Sequence, residues 1–206
     1  MDFSIILGLV QNIAILISFT LIYDLLWEKN GRFSKIIYKI FIGIVIGAIG
    51  IVLMLSTWEM VPGLVFDTRT VLLVNAGLFF GPVATIVAIL IDIAFRAFQG
   101  GPGVWMGILT IISSGLIGLI WKKMFPEWRK GRYIYHLFII SIIAHIFMLL
   151  STLALPKTLI LPTLKNIALP VLFLYPLATV LLGIILVRRM RYWKTRNELA
   201  LSEERN

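Results

Sequence analysis

Thr70-Val71-Leu72-Leu73-Val74-Asn75-Ala76-Gly77-Leu78-Phe79-Phe80-Gly81-Pro82 is an apolar run cut off by a glycine–proline pair. Its length before the glycine, about eleven residues at about 1.5 Å each, covers roughly half of the hydrocarbon thickness of a bilayer, which predicts a short or tilted membrane span. Pro82 is well placed to start the next helix, since proline is tolerated at the first helical position and the preceding glycine permits the turn. That helix is expected over 82–98 and ends at Gln99-Gly100-Gly101-Pro102-Gly103, a loop with almost no side chains. Outward in both directions the pattern repeats. Further spans are expected at 3–27, 36–58, 104–121, 133–155 and 167–187, the last with Pro170 and Pro176 as kink sites. Within 36–58, Gly43 and Gly47 form a GxxxG pair with Gly50 following, a small-residue face suited to close helix packing.

Composition agrees. At 60% hydrophobic, 14% charged and mean hydropathy +0.99, the 206 residues lie far from a soluble domain. The reading is an all-α integral membrane protein, a polytopic bundle of six to seven transmembrane helices with a short third span. The absence of cysteine excludes a disulfide framework, thiolate chemistry and Cys-based metal sites. His136 and His145, nine positions apart, are not spaced as a metal pair and read as core histidines. No GxxxxGK[ST], HExxH or Ser/His/Asp grouping occurs, so no enzyme, cofactor or metal is expected for this chain. Trp27, Trp58, Trp121, Trp128 and Trp193 fall near span ends, where an aromatic belt accounts for them.

The formal charge of +9 is distributed unevenly, which points to the positive-inside rule and away from nucleic acid. Residues 29–39, 122–132 and those after 187 carry fifteen Lys/Arg, and only Arg69, Arg96, Lys157 and Lys165 lie on the opposite side. The basic side is expected to be cytoplasmic, with the N-terminus outside and the C-terminus inside. Three loops, 59–69, 99–103 and 156–166, then gather on the outer face. The stretch 188–206 has no helix stop. It is expected to leave the membrane as a connecting helix, attracted to anionic lipid over 188–196, and to lead from the 1–187 domain into a soluble module outside this chain.

Ionisable groups at membrane depth are costly, about 2.5–3.5 kcal/mol on insertion scales, and so mark candidate sites. Asp92 and Arg96 stand four apart on one helix and can pair, while Asp67 and Arg69 stand at the mouth of the short span. Two arginines converging there would suit a carboxylate or phosphate. Gly100, Gly101 and Gly103 would let backbone N–H groups approach an anion, and Gly107 and Thr110 offer space and a hydroxyl. Asn75 is a further polar candidate. The alternative is a closed strut in which Asp67 and Asp92 neutralise both arginines and nothing binds. Gln11 and Asn12 read as interhelical hydrogen-bond partners.

Pro62-Gly63-Leu64-Val65-Phe66-Asp67-Thr68-Arg69-Thr70-Val71, then Gly77-Leu78-Phe79-Phe80-Gly81-Pro82, then Arg96-Ala97-Phe98-Gln99-Gly100-Gly101-Pro102-Gly103 with Gly107 following, resembles the membrane sensor domain of the LytS-YhcK type. Residues 58–107 carry the most specific part. Leu201-Ser202-Glu203-Glu204-Arg205 looks like the start of an output module. The resemblance implies the input portion of a receptor, a sensor histidine kinase or diguanylate cyclase, in which catalysis lies beyond Asn206 and the chain works as a homodimer. It implies small extracellular anionic metabolites such as pyruvate as ligands, with Arg69 and Arg96 gripping the carboxylate and Thr110 nearby. Gly107 departs from a polar residue used by carboxylate-sensing relatives. The fold is also similar to the substrate-binding components of energy-coupling-factor vitamin transporters, the alternative reading, for which Ala14 and Ser18 are a weak match to a partner-binding stripe.

Overall fold

The computed structural model describes residues 35–56, 58–61 and 64–203. The expected span at 3–27, with Gln11, Asn12, Ala14 and Ser18, lies outside them. The described elements are α1 (Lys35–Leu55), a hairpin of β1 (Trp58–Val61) and β2 (Leu64–Phe66), α2 (Arg69–Phe80), α3 (Pro82–Gln99), α4 (Val104–Met124), α5 (Tyr133–Ser151), a single 3-10 turn (Thr152–Ala154), and α6 (Lys157–Glu203). Five of the helices, α1, α3, α4, α5 and α6, are long and apolar enough to cross a membrane. Many of their large apolar side chains are exposed, among them Leu90, Leu169 and Phe173 at 60–65%, as lipid-facing residues are. The count among the described residues is therefore five, with α2 as a shorter apolar helix.

The twelve-residue α2 is the centre of the bundle: every residue from Arg69 to Phe79 is buried. A helix apolar all round must be enclosed by others, and small residues set how closely. A Cβ on Gly77 would lie 2.7 Å from the Gly115 carbonyl oxygen and from the Leu119 nitrogen of α4, and a Cβ on Gly118 would collide with the Val74 carbonyl oxygen of α2. Backbones meet at that crossing. On α1, Gly43 faces Ala84 and Val87 of α3, Gly47 faces Ile91, and Gly50 faces the Asp92 carboxylate. The GxxxG face is thus occupied by α3 within the chain, the close helix packing that the small residues suggest.

Where α2 stops short, other parts fill the depth of the bundle. Phe79 meets Trp128 edge-on at 5.2 Å, and Trp128 is 1% exposed. Trp128 is a core residue of the α4–α5 connection, correcting its assignment to an aromatic belt. Gly81, at φ +82°, reverses the chain from α2 into α3 with Pro82 at the first helical position, as the sequence predicts.

Two expectations are corrected. The segment before Asp67, expected as a turn-rich loop with the second span running to 58, is a β-hairpin. α1 ends at Leu55, and β1 and β2 pair antiparallel with Trp58 opposite Phe66. Strand-formers on either side of Pro62-Gly63 are the physical reason, and the fold remains helical with one small hairpin added. The loop expected at 156–166 is helix from Lys157 onward. Leu155 is extended ahead of Pro156, and Pro156 accepts the Leu159 N–H at 2.8 Å, so the proline opens the helix. α6 carries Pro162, Pro170 and Pro176 inside it and runs on into the connecting segment, as expected.

Candidate functional site

Asp67 ends the hairpin and Arg69 opens α2, so the pair sits at a helix N-terminus, where a carboxylate is favoured. Asp67 Oδ1 accepts the Arg69 backbone N–H at 2.8 Å, and both carboxylate oxygens accept from Arg69 Nε, at 2.6 and 2.8 Å. Both side chains are buried, Asp67 to 3% and Arg69 to 7% exposure. The grip uses the Nε edge of the guanidinium. Arg69 Nη1 is buried with no acceptor among the described residues, as is Thr68 Oγ1.

Asp67, Arg69 and Thr70 line a cavity with Gly103, Met106, Gly107, Thr110 and Ile111 of α4 and its N-terminal turn, and Met148 of α5. Its volume, about 20 Å³, is that of one water-sized site. Thr110 Oγ1 donates to the Met106 carbonyl at 2.9 Å, which leaves its lone pairs as acceptors. Thr70 Oγ1 donates to Met148 Sδ at 3.5 Å, fastening α2 to α5 across the cavity.

Arg96 reaches the same place from α3. It is 1% exposed and donates from Nη1 to Gly100 O at 3.2 Å and to Gln99 Oε1 at 3.4 Å. Its Nε lies 2.7 Å from where a Cβ on Gly107 would stand. Glycine at 107 therefore lets the Arg96 side chain lie against α4, and the same glycine lines the cavity beside Arg69. The turn that presents Gly103 depends on Gly100 at φ +68° and Gly101 at φ +86°, conformations that side-chain-bearing residues seldom adopt.

Of the ten residues expected at the site, Asp67, Arg69, Gly103, Gly107 and Thr110 line one cavity, Arg96 lies over its Gly107 wall, and Gly100 holds Arg96. Gly101 shapes the turn without lining the cavity. Asn75 and Asp92 stand apart. Asn75 Nδ2 donates to Val71 O at 2.9 Å and reaches Thr179 O of α6 at 3.4 Å, a link between α2 and α6. Asp92 does not form the expected bond with Arg96: its carboxylate lies against Gly50, fully buried, with neither oxygen hydrogen-bonded among the described residues. Arg96 instead extends forward to the end of its own helix. The strut in which two acids neutralise two arginines is therefore not built in that form. Thr70, Met106, Ile111 and Met148 were not foreseen, and an apolar span offers no local signal that would single out Met148.

Compared with known protein families, the chain matches one, described as 5TMR of 5TMR-LYT, over residues 20–189. No curated protein and no solved structure matches it.

Proposed function

Since the chain belongs to the 5TMR-LYT family of five-transmembrane, LytS-type sensor domains, in a multi-pass membrane protein, we propose that it is the input domain of a sensor histidine kinase or similar receptor. Such a domain is not itself a catalyst. It binds a small extracellular carboxylate, pyruvate-like, between Arg69 and Arg96. The observation that carries this reading is the buried Arg69 Nη1, a charged donor without an acceptor among the described residues, on a side chain that lines a cavity with Gly107. A carboxylate oxygen is the acceptor such a donor favours, and a second guanidinium at Arg96 completes a two-cation grip. The density of bases at the far end, around 122–132 and 188–196, supports reading that end as cytoplasmic and the cavity end as outer.

The cavity's size supports a route of transmission. A ligand larger than a water fits only if α2, α4 and α5 separate around Met148 and Gly107, so it binds one packing of the bundle better than another. α6 packs on α5, and it is one helix of 47 residues, about 70 Å long, from the cavity end to the connecting segment. A displacement at one end reaches the other, and a dimer of such helices would pass it to an output module.

Thermal unfolding of the detergent-purified chain against pyruvate, other small carboxylates, inorganic phosphate and uncharged metabolites tests the binding step. A carboxylate at a hundred times its dissociation constant should add about 2.7 kcal/mol of stability, and the gain should vanish in a folded Arg96→Ala protein. A panel in which no anion stabilises the wild type, or in which Arg96→Ala responds equally, overturns it.

A further inference from the structure

His145 of α5 is wholly buried and stands one helical turn from Met148, on the same face of the helix and deeper in the bundle. Its ring is fixed through one nitrogen. Nδ1 lies 2.7 Å from the Ser141 carbonyl, which can only accept, so Nδ1–H donates there, and the Ser141 hydroxyl stands 3.3 Å from the same nitrogen. Nε2 is buried with no hydrogen-bond partner among the described residues. In a neutral imidazole protonated at Nδ1 that nitrogen is a bare acceptor, and without a donor it carries the full cost of its lost hydration. Tyr175 of α6 packs edge-on against the ring, with centroids 5.5 Å apart.

Arg69 and Met148 both line the water-sized cavity, so a larger ligand gains room on the α5 side when Met148 yields. The next residue along that face, about 4.5 Å further in, is His145. Tyr175 ties this level back to the ion pair, since its phenol lies within the electrostatic reach of Asp67 and Arg69. We infer that His145 Nε2 accepts a hydroxyl from the ligand, so that the site suits a short hydroxy acid, its carboxylate on the arginines and its hydroxyl inward against α5. The inference rests on the sensor reading and narrows its ligand class. A hydroxyl supplies the donor that Nε2 lacks, whereas the keto oxygen of a 2-oxo acid sets a second acceptor against it. Because Tyr175 packs on the same ring, the hydroxyl contact also links the ligand to α6, the helix that carries the signal out.

The test is thermal unfolding of the full chain in detergent, titrated in parallel with lactate, propionate, 3-hydroxybutyrate, butyrate and pyruvate, for the wild type, His145→Phe and Arg96→Ala. Phenylalanine keeps a ring against Tyr175 and removes the acceptor. In the wild type, lactate or 3-hydroxybutyrate is expected to bind at least about tenfold more tightly than its unsubstituted parent and than pyruvate, because the parent leaves Nε2 unpaired. His145→Phe should bind the parent acid as the wild type does and lose the preference for the hydroxyl, a change that a purely structural role for His145 would not produce. Equal affinities for hydroxy and parent acids in the wild type overturn the inference, as does a preference that survives in His145→Phe. A preference for pyruvate that depends on His145 would make the ring a donor and overturns the hydroxyl as its partner. Should His145→Phe not fold, His145→Leu is judged by the same outcomes. Carboxylates that all act alike and through Arg96 would leave the sensor reading standing while the hydroxyl inference fails; if no carboxylate acts, both fail.

Discussion

Arg69→Met should destabilise the protein by about 3–5 kcal/mol, and adding Asp67→Asn should restore much of the loss. The single substitution strands a carboxylate that is 3% exposed, leaving it the backbone N–H of residue 69 in place of a charged partner. Most of the cost is that uncompensated charge, not the net worth of the pair, so neutralising Asp67 removes the cause while Asn can still accept the backbone N–H. Equilibrium unfolding in detergent of the wild type, both single variants and the double variant gives the coupling directly. Additive losses would mean that the 2.6 Å contact is not a mutually dependent pair.

Trp128→Ala should cost a similar amount, about 3–5 kcal/mol, through the cavity it opens beneath Phe79. The comparison is Trp105→Ala, at a position on α4 that is 69% exposed, where the expected loss is within about 0.5 kcal/mol. An interfacial belt residue would behave like Trp105. The contrast arises because α2, at twelve residues, is about 18 Å long and cannot fill the bundle's depth alone. Trp128→Phe should lose less than Trp128→Ala, since an aromatic ring can still meet Phe79. Equal losses at 105 and 128 would remove the plug from the description of the core.

Backbone punctuation was the most legible part of the sequence. Gly81-Pro82 marks a helix junction because only glycine readily takes φ +82° and proline suits the position after it, and Gly100-Gly101 marks the next for the same reason. The prolines of 156–166 were misleading: a loop is expected there, yet the helix opens after Pro156 and carries Pro162 inside it. The hairpin was hidden because its strands, four and three residues long, are too short to show alternation beside long apolar spans.

At the site, the sequence identified residue types and near neighbours but not side-chain direction. Asp92 and Arg96 have the spacing of a helical pair, yet one turns to Gly50 on α1 and the other runs forward to Gly100. Spacing permits a contact and packing selects it. Likewise, Gly43 and Gly47 announce a close approach without naming the partner, which proves to be α3. Met148 and Thr70 enter the site through tertiary packing between helices distant in sequence.

Because the chain has no cysteine, two can be introduced at exposed positions, Lys123→Cys on α4 and Thr195→Cys on α6, and spin-labelled without background. The distance between the labels, measured by pulsed electron paramagnetic resonance with and without pyruvate, tests directly whether a carboxylate at the Arg69/Arg96 cavity moves the exit helix. The expected result is a shift of about 1–2 Å or more in the mean distance, absent when Arg96→Ala is added to the labelled protein. A distance unchanged by a ligand that stabilises the fold, or a shift that persists in Arg96→Ala, would contradict a sensor that reads its ligand at that cavity and signals through α6.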